Sequence, residues 1–140
     1  MTKIEIRTSK GIILAELDEE KMPITVDNFV GLVGQGFYNE LTFHRVEDWV
    51  IQGGDPLGTG YGGSEQTIPL ETHPDLPNVR GAVAMARSAD PNSASSQFYI
   101  LKKDASWLDG QYAVFGNVTE GMDVVDSIVR RDIMSEVKVV

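Results

Sequence analysis

The first residues of the chain alternate between apolar and polar positions. Ile4 and Ile6 precede a turn segment at 8–11, and Ile13, Ala15 and Leu17 follow that turn at every second position. Period-two alternation on both sides of a glycine-containing turn is typical of a β-hairpin with one buried face. The N-terminal segment therefore predicts two paired antiparallel strands.

A helical spacing replaces the alternation after this hairpin. Pro23 suits the first turn of a helix, and the glycines at 34 and 36 suit its end. Apolar residues between them recur at i, i+3, i+4 and i+7, which places them on one helical face. These residues are Val26, Phe29, Val30 and Val33.

The remainder of the chain predicts short strands and one further helix. Strand-like runs occupy 41–46, 49–52, 82–86, 97–101, 112–118 and 133–140. A shorter helix is expected over 122–129, with Met122, Val125, Ile128 and Val129 facing inward. The segment 53–80 is rich in Gly, Pro, Thr and Ser and predicts long loops. Many short strands with two separated helices favour a single mainly β domain over 1–140, an antiparallel barrel or sandwich with helical caps.

Composition narrows the classes of function. The chain has no cysteine, which removes disulfide and thiolate chemistry and fits a reducing compartment. The alternating N-terminus is unlike a secretory signal, and no apolar run approaches the roughly 18–20 residues that span a bilayer. The formal net charge of −9 would repel a phosphate backbone. We therefore expect a cytoplasmic protein that binds neither nucleic acid nor membrane.

Two patterns lack the context that their chemistry requires. Residues 58–63 fit G-x-G-x-x-G, but Pro69 follows closely and no helical stripe intervenes, so dinucleotide binding is not indicated. His44 and His73 do not have the spacing of metal ligands, and no cysteine can complete a zinc site. The sequence predicts neither a cofactor nor a metal.

One charged residue interrupts an apolar strand-like run. If 41–46 is a strand, Phe43 and Arg45 lie on the same face of it. A guanidinium is rarely buried without a partner. Arg45 therefore either pairs with a neighbouring carboxylate, Glu47 or Asp48, or points towards a ligand outside the chain.

Four segments stand out by their order and spacing. They are F-H-R with Q-G-G-D at 43–45 and 52–55, M-A-R at 85–87, S-S-Q-F-Y-I at 95–100, and W-L-D-G with V-F-G at 107–110 and 114–116. Together they resemble the cyclophilin family of peptidyl-prolyl isomerases over nearly the whole chain. The resemblance implies a closed eight-stranded antiparallel β-barrel capped by two α-helices, with the active site in a groove on its outer face.

The resemblance also implies the roles of particular residues. Arg45 matches the catalytic arginine of the family, and Gln52 matches the glutamine that orients it. Ala86 and Arg87 match the segment whose backbone holds the residue before proline, and Gln97 matches a second polar contact. The residues that match the proline pocket are Trp49, Val50, Tyr99, Leu108 and Tyr112, with Trp107 at its rim. The spacing from Arg45 to Gln52 is one residue shorter than is usual in the family, Arg87 stands where asparagine is frequent, and tyrosines replace a Phe at 99 and a His at 112.

The implied reaction explains why no nucleophile or metal is needed. Rotation about an X-Pro bond breaks no covalent bond and must overcome a barrier of about 18–20 kcal/mol. A donor aimed at the nitrogen of the twisted amide would bind that state better than the planar one. The resemblance implies proline-containing peptides and unfolded proteins as partners, cyclosporin as a ligand, and a monomer. The alternatives are a non-catalytic module that binds proline peptides and a chaperone that requires an exposed apolar patch.

Overall fold

Nine antiparallel strands form one sheet in the computed structural model, which describes residues 1–140. The strands are β1 (Thr2–Thr8), β2 (Gly11–Leu17), β3 (Leu41–Thr42), β4 (Arg45–Val46), β5 (Val50–Gly53), β6 (Ala82–Met85), β7 (Phe98–Leu101), β8 (Val114–Glu120) and β9 (Ile133–Val139). Two α-helices, α1 (Pro23–Gly34) and α2 (Met122–Ser127), and a 3-10 turn (Ser106–Leu108) complete the fold. The mainly β prediction and the N-terminal hairpin are confirmed.

The strand order is β3-β9-β1-β2-β8-β6-β7-β5-β4, and no ladder joins β3 to β4. The predicted strand 41–46 divides at Phe43 and His44, because the backbone of Phe43 pairs with Arg131 and Asp132 instead of continuing the ladder. The first half, β3, pairs with β9 at one end of the sheet, and the second half, β4, pairs with β5 at the other end. The chain therefore joins the two edges covalently, and the closed eight-stranded barrel is not confirmed.

The split strand also corrects the predicted orientation of Arg45. Phe43 is completely buried in the core, whereas the side chain of Arg45 is 47% exposed. The two residues do not share a face, because the alternation of a continuous strand does not extend across the break.

The helices follow the predicted stripes with one exception. In α1, Val26, Phe29 and Val33 are buried and Val30 packs against the core. The second helix ends at Ser127, since Ile128 has an extended backbone, and Val129 is therefore 54% exposed instead of buried. The longest helix has twelve residues, and none is long and apolar enough to cross a membrane.

Apolar side chains bury both faces of the central strands. In β7, Phe98 and Ile100 belong to the large core inside the curled sheet, whereas Tyr99 and Leu101 belong to a second cluster on its outer face. Strand β6 divides in the same way, with Val83 inward and Ala84 outward. The buried side chains of the outer cluster form a floor, and the candidate site lies on it.

Candidate active site

Strand register places the predicted site residues in a row across the outer face. Arg45 of β4 lies opposite Gln52 of β5, and Gln52 lies opposite Tyr99 of β7. Tyr99 in turn lies opposite Ala84 of β6. Because directly opposite residues project from the same face of a sheet, the pairing brings together residues that are up to 54 positions apart along the chain.

A cavity of about 130 Å³ lies over this row. It is smaller than the roughly 300–1,000 Å³ of drug-sized ligand sites, which suits one small apolar ring. The residues that line it are Arg45, Trp49, Val50, Gln52, Ala86, Arg87, Tyr99, Leu108 and Tyr112. The structure therefore brings together nine of the predicted site residues, while Gln97 and Trp107 lie beside the cavity.

Arg45 has contacts on both sides of its guanidinium. Its Nε donates to Oε2 of Glu47 at 2.8 Å, and its Nη1 donates to Oε1 of Gln52 at 3.3 Å. Its Cζ lies 5.5 Å from the ring centroid of Trp49, within the range of a cation–π contact. Arg45 therefore pairs with Glu47 and also lines the cavity. Both are possible because the ion pair lies at the surface.

Gln52 and Gln97 connect Arg45 to a loop that closes one side of the site. Nε2 of Gln52 donates to Oε1 of Gln97 at 3.0 Å. Nε2 of Gln97 donates in turn to the carbonyl oxygens of Gly60 and Gly62, at 3.0 and 2.8 Å. Each amide has one orientation that satisfies its partners, so the network fixes Gln52 with its oxygen towards Arg45.

The shortened connection between β4 and β5 keeps Trp49 in the site. The amide of Glu47 donates to the carbonyl of Val50 at 2.9 Å, which closes a tight hairpin turn. Trp49 then lines the cavity and lies against Trp107, with ring centroids 5.8 Å apart and planes inclined by 57°. Trp107 is 65% exposed and lies beside the cavity through this contact with Trp49.

Tyr99 anchors the floor of the cavity through its hydroxyl. That hydroxyl donates to Oδ1 of Asn78 at 2.6 Å, and Asn78 donates to Asp109 from its backbone N–H and from Nδ2, at 2.7 and 3.1 Å. Burial, and then the neighbouring Tyr112, raise the pKa of Tyr99 above its usual range, so the hydroxyl remains a donor at neutral pH. This network ties the W-L-D-G segment to the sheet.

Asp55 supports the loop that receives Gln97; it ends the Q-G-G-D motif, but the site residues predicted from the sequence did not include it. The side chain is 1% exposed and accepts the backbone N–H groups of Leu57, Thr59 and Gly60, at 2.8, 3.0 and 2.6 Å. Burial opposes its ionisation, but these hydrogen bonds outweigh that effect and lower the pKa of the carboxyl. The Asp55-Pro56 pair, with Gly58 two positions later, is a turn signal that could have identified it.

His44 is adjacent to the site but does not line the cavity. Its Nδ1 is buried and has no hydrogen-bond partner, and burial is the main cause that lowers its pKa. Loss of a proton from a poorly solvated imidazole is the expected response. No group of three or more His, Asp or Glu side chains is arranged to hold a metal ion.

The fold and site define a β-sheet protein with an arginine beside a ring-sized cavity that is lined mainly by apolar and aromatic side chains. The family model described as "Cyclophilin type peptidyl-prolyl cis-trans isomerase/CLD" matches residues 3–139. The chain therefore belongs to the cyclophilin-type peptidyl-prolyl cis-trans isomerases, as the sequence motifs predicted.

Named relatives agree with this family. Peptidyl-prolyl cis-trans isomerase ppi1 of Schizosaccharomyces pombe is 43% identical over 128 residues, 89% of this chain and 83% of that protein. A peptidyl-prolyl cis-trans isomerase of Helicobacter pylori is 43% identical over 136 residues, 94% of this chain and 83% of that protein. A cyclophilin-type isomerase of Cryptosporidium parvum, crystallised in the presence of the dipeptide Ala-Pro, superposes with a TM-score of 0.92 at 28% identity, and the match covers 99% and 98% of the two chains.

Proposed function

We propose that this isomerase accelerates X-Pro rotation in peptides and unfolded or flexible protein segments, with the proline ring in the 130 Å³ cavity. The observation that carries the proposal is the position of Arg45, held by Gln52 at the edge of a cavity that is lined mainly by apolar side chains. The Ala-Pro dipeptide present with the Cryptosporidium parvum relative supports a proline-containing substrate.

Arg45 would act as a fixed donor to the amide nitrogen. When the X-Pro bond twists, the nitrogen loses conjugation and regains a basic lone pair. A guanidinium remains positively charged and carries five donors in a planar fork, of which Glu47 and Gln52 use only some. A charge-assisted hydrogen bond of about 1.5–3 kcal/mol present only in the twisted state would account for roughly one to two decades of rate.

The rest of the acceleration would come from positioning. Trp49, Tyr99, Leu108 and Tyr112 line the cavity and would surround the proline ring, while the segment at 86–87 would hold the residue before it. Fixing one side of the bond while the other rotates lowers the entropic part of the barrier. The proposed mechanism requires no proton transfer and no covalent intermediate.

The test is an NMR exchange or protease-coupled assay on an X-Pro peptide, comparing the parent with Arg45→Ala. We expect kcat/KM to fall about 10- to 100-fold while the variant stays folded. Arg7→Ala is a matched control, because Arg7 also pairs with a glutamate two residues away, Glu5, at 2.7 Å, but lies in β1. Equal activity of the parent and Arg45→Ala would refute the mechanism, and binding without turnover in the parent would favour the non-catalytic module.

We also infer that the protein binds cyclosporin and acts as a monomer. Trp107 is exposed at the rim next to Trp49, where a large apolar ligand could contact both rings. Tryptophan fluorescence titrated with the drug tests this directly, and no change at micromolar concentration would contradict it. Sedimentation of the free protein would test the oligomeric state.

A further inference from the structure

A second cavity of about 290 Å³ adjoins the proline cavity, and Arg87 lines both. Gln52 and Ala86 also line both cavities, so the two form one groove with these three residues at the junction. The second cavity is lined mainly by glycine backbone and by the serines at 64, 88, 93 and 95. Arg87 is the one charged residue in its lining, and no carboxylate borders it.

The guanidinium of Arg87 is held in place without a counterion. Its Nε donates to the carbonyl of Gln111 and its Nη1 to the carbonyl of Ser88, both at 2.9 Å. Its Cζ lies 4.6 Å from the ring centroid of Tyr112. No acidic side chain forms an ion pair with it, in contrast to Arg45, whose charge is offset by Glu47.

Part of the Arg87 fork remains available to a ligand. A guanidinium has five N–H donors, and the contacts with Gln111 and Ser88 use one on Nε and one on Nη1. Nη2 donates to no group of the protein, and a fixed planar fork is suited to a carboxylate. A local positive charge at the groove is notable in a chain of net charge −9.

We propose that Arg87 selects substrates with an acidic side chain within two residues on the N-terminal side of the proline. The inference rests on the proposed function, because it assumes that the proline ring occupies the smaller cavity. The acidic side chain would then lie at the junction of the two cavities, with its carboxylate on the free part of the Arg87 fork. The serine hydroxyls of the second cavity add neutral donors and no competing negative charge.

The test compares peptides that differ only by Glu or Gln at each of the two positions before the proline. At low salt the parent should favour the better-placed Glu peptide by about 1.5-fold to fivefold in kcat/KM, the range expected for an exposed ion pair. The Glu/Gln ratio of kcat/KM should approach one in Arg87→Gln. Arg87→Glu should instead prefer a third peptide that carries Lys at the same position. Using a ratio within each variant removes any general loss of activity.

Lys3→Gln is the matched control, since it removes one positive charge from an exposed position of β1 and should keep the parental ratio. High salt should weaken the preference, because the screening length falls to about 3 Å at 1 M. Peptide affinity measured by tryptophan fluorescence separates the proposed isomerase mechanism from the proposed role of Arg87. No turnover with any peptide would count against the isomerase mechanism, whereas equal affinity for Glu and Gln peptides, or a preference retained in Arg87→Gln, would overturn the role of Arg87.

Discussion

Gln97 holds Gln52 in a single orientation through a 3.0 Å hydrogen bond between their side-chain amides. Gln97 is itself fixed by two loop carbonyls, so its oxygen must face Gln52. Gln52 must then present its own oxygen to Arg45. The position of the proposed catalytic cation thus depends on a residue that does not line the proline cavity.

Loss of the Gln97 side-chain amide should therefore reduce turnover, although Arg45, the proposed catalytic group, is still present. In Gln97→Ala we expect kcat/KM to fall about threefold to tenfold, less than in Arg45→Ala, because Arg45 is retained but less well positioned. Gln35→Ala, which removes an amide at the end of α1, is the control and should be unchanged. Parental kcat/KM in Gln97→Ala would show that the amide network does not position Arg45.

Local patterns were sufficient for much of this architecture. The hairpin, α1 and the long loops each carry a signal within about a dozen residues, and all three lie close to their predicted bounds. The break at Phe43 had no such signal, because its backbone partners, Arg131 and Asp132, are nearly ninety residues away. Val129 was misplaced because the helical spacing continues past the point where the backbone leaves the helix.

The site was predicted through motif resemblance and not through pattern alone. Periodicity could not show that Arg45, Gln52 and Tyr99 lie side by side, because strand register depends on the whole sheet. The supporting residue Asn78 had no sequence signal, since its partners Tyr99 and Asp109 are 21 and 31 residues away. Motifs identify the residues that face the groove better than those that hold them.

The hydroxyl of Tyr99 should contribute to stability. In Tyr99→Phe, Oδ1 of Asn78 would lose the buried 2.6 Å bond that it accepts, at a cost of about 1–3 kcal/mol in the free energy of unfolding. Urea denaturation measures this change. Tyr61→Phe is the control, because Tyr61 is 95% exposed and should be neutral. Equal stability of Tyr99→Phe and the parent would indicate that Asn78 finds another donor.

Asp55 should stabilise the loop at 57–60 through its charge. In Asp55→Asn, an N–H₂ group would face backbone N–H donors, and we expect the free energy of unfolding to fall by about 2 kcal/mol or more. Asp75→Asn is the control, since the side chain of Asp75 is 66% exposed. Urea denaturation with unchanged stability in Asp55→Asn would contradict the role assigned to the carboxylate.

His44 should make the protein less stable as the pH falls below neutrality. Burial lowers the pKa of His44, so the folded state binds a proton less readily than the unfolded state, whose histidine titrates near pH 6.5. The unfolded state then holds more protons as the pH decreases below about 6.5, and the free energy of unfolding falls. The stability that the Asp55 carboxylate contributes is present at neutral pH and is lost only below about pH 4, because its pKa is lowered in the folded state. Urea denaturation between pH 7.5 and 5.5 should show a steeper loss in the parent than in His44→Gln, and equal slopes would contradict this assignment.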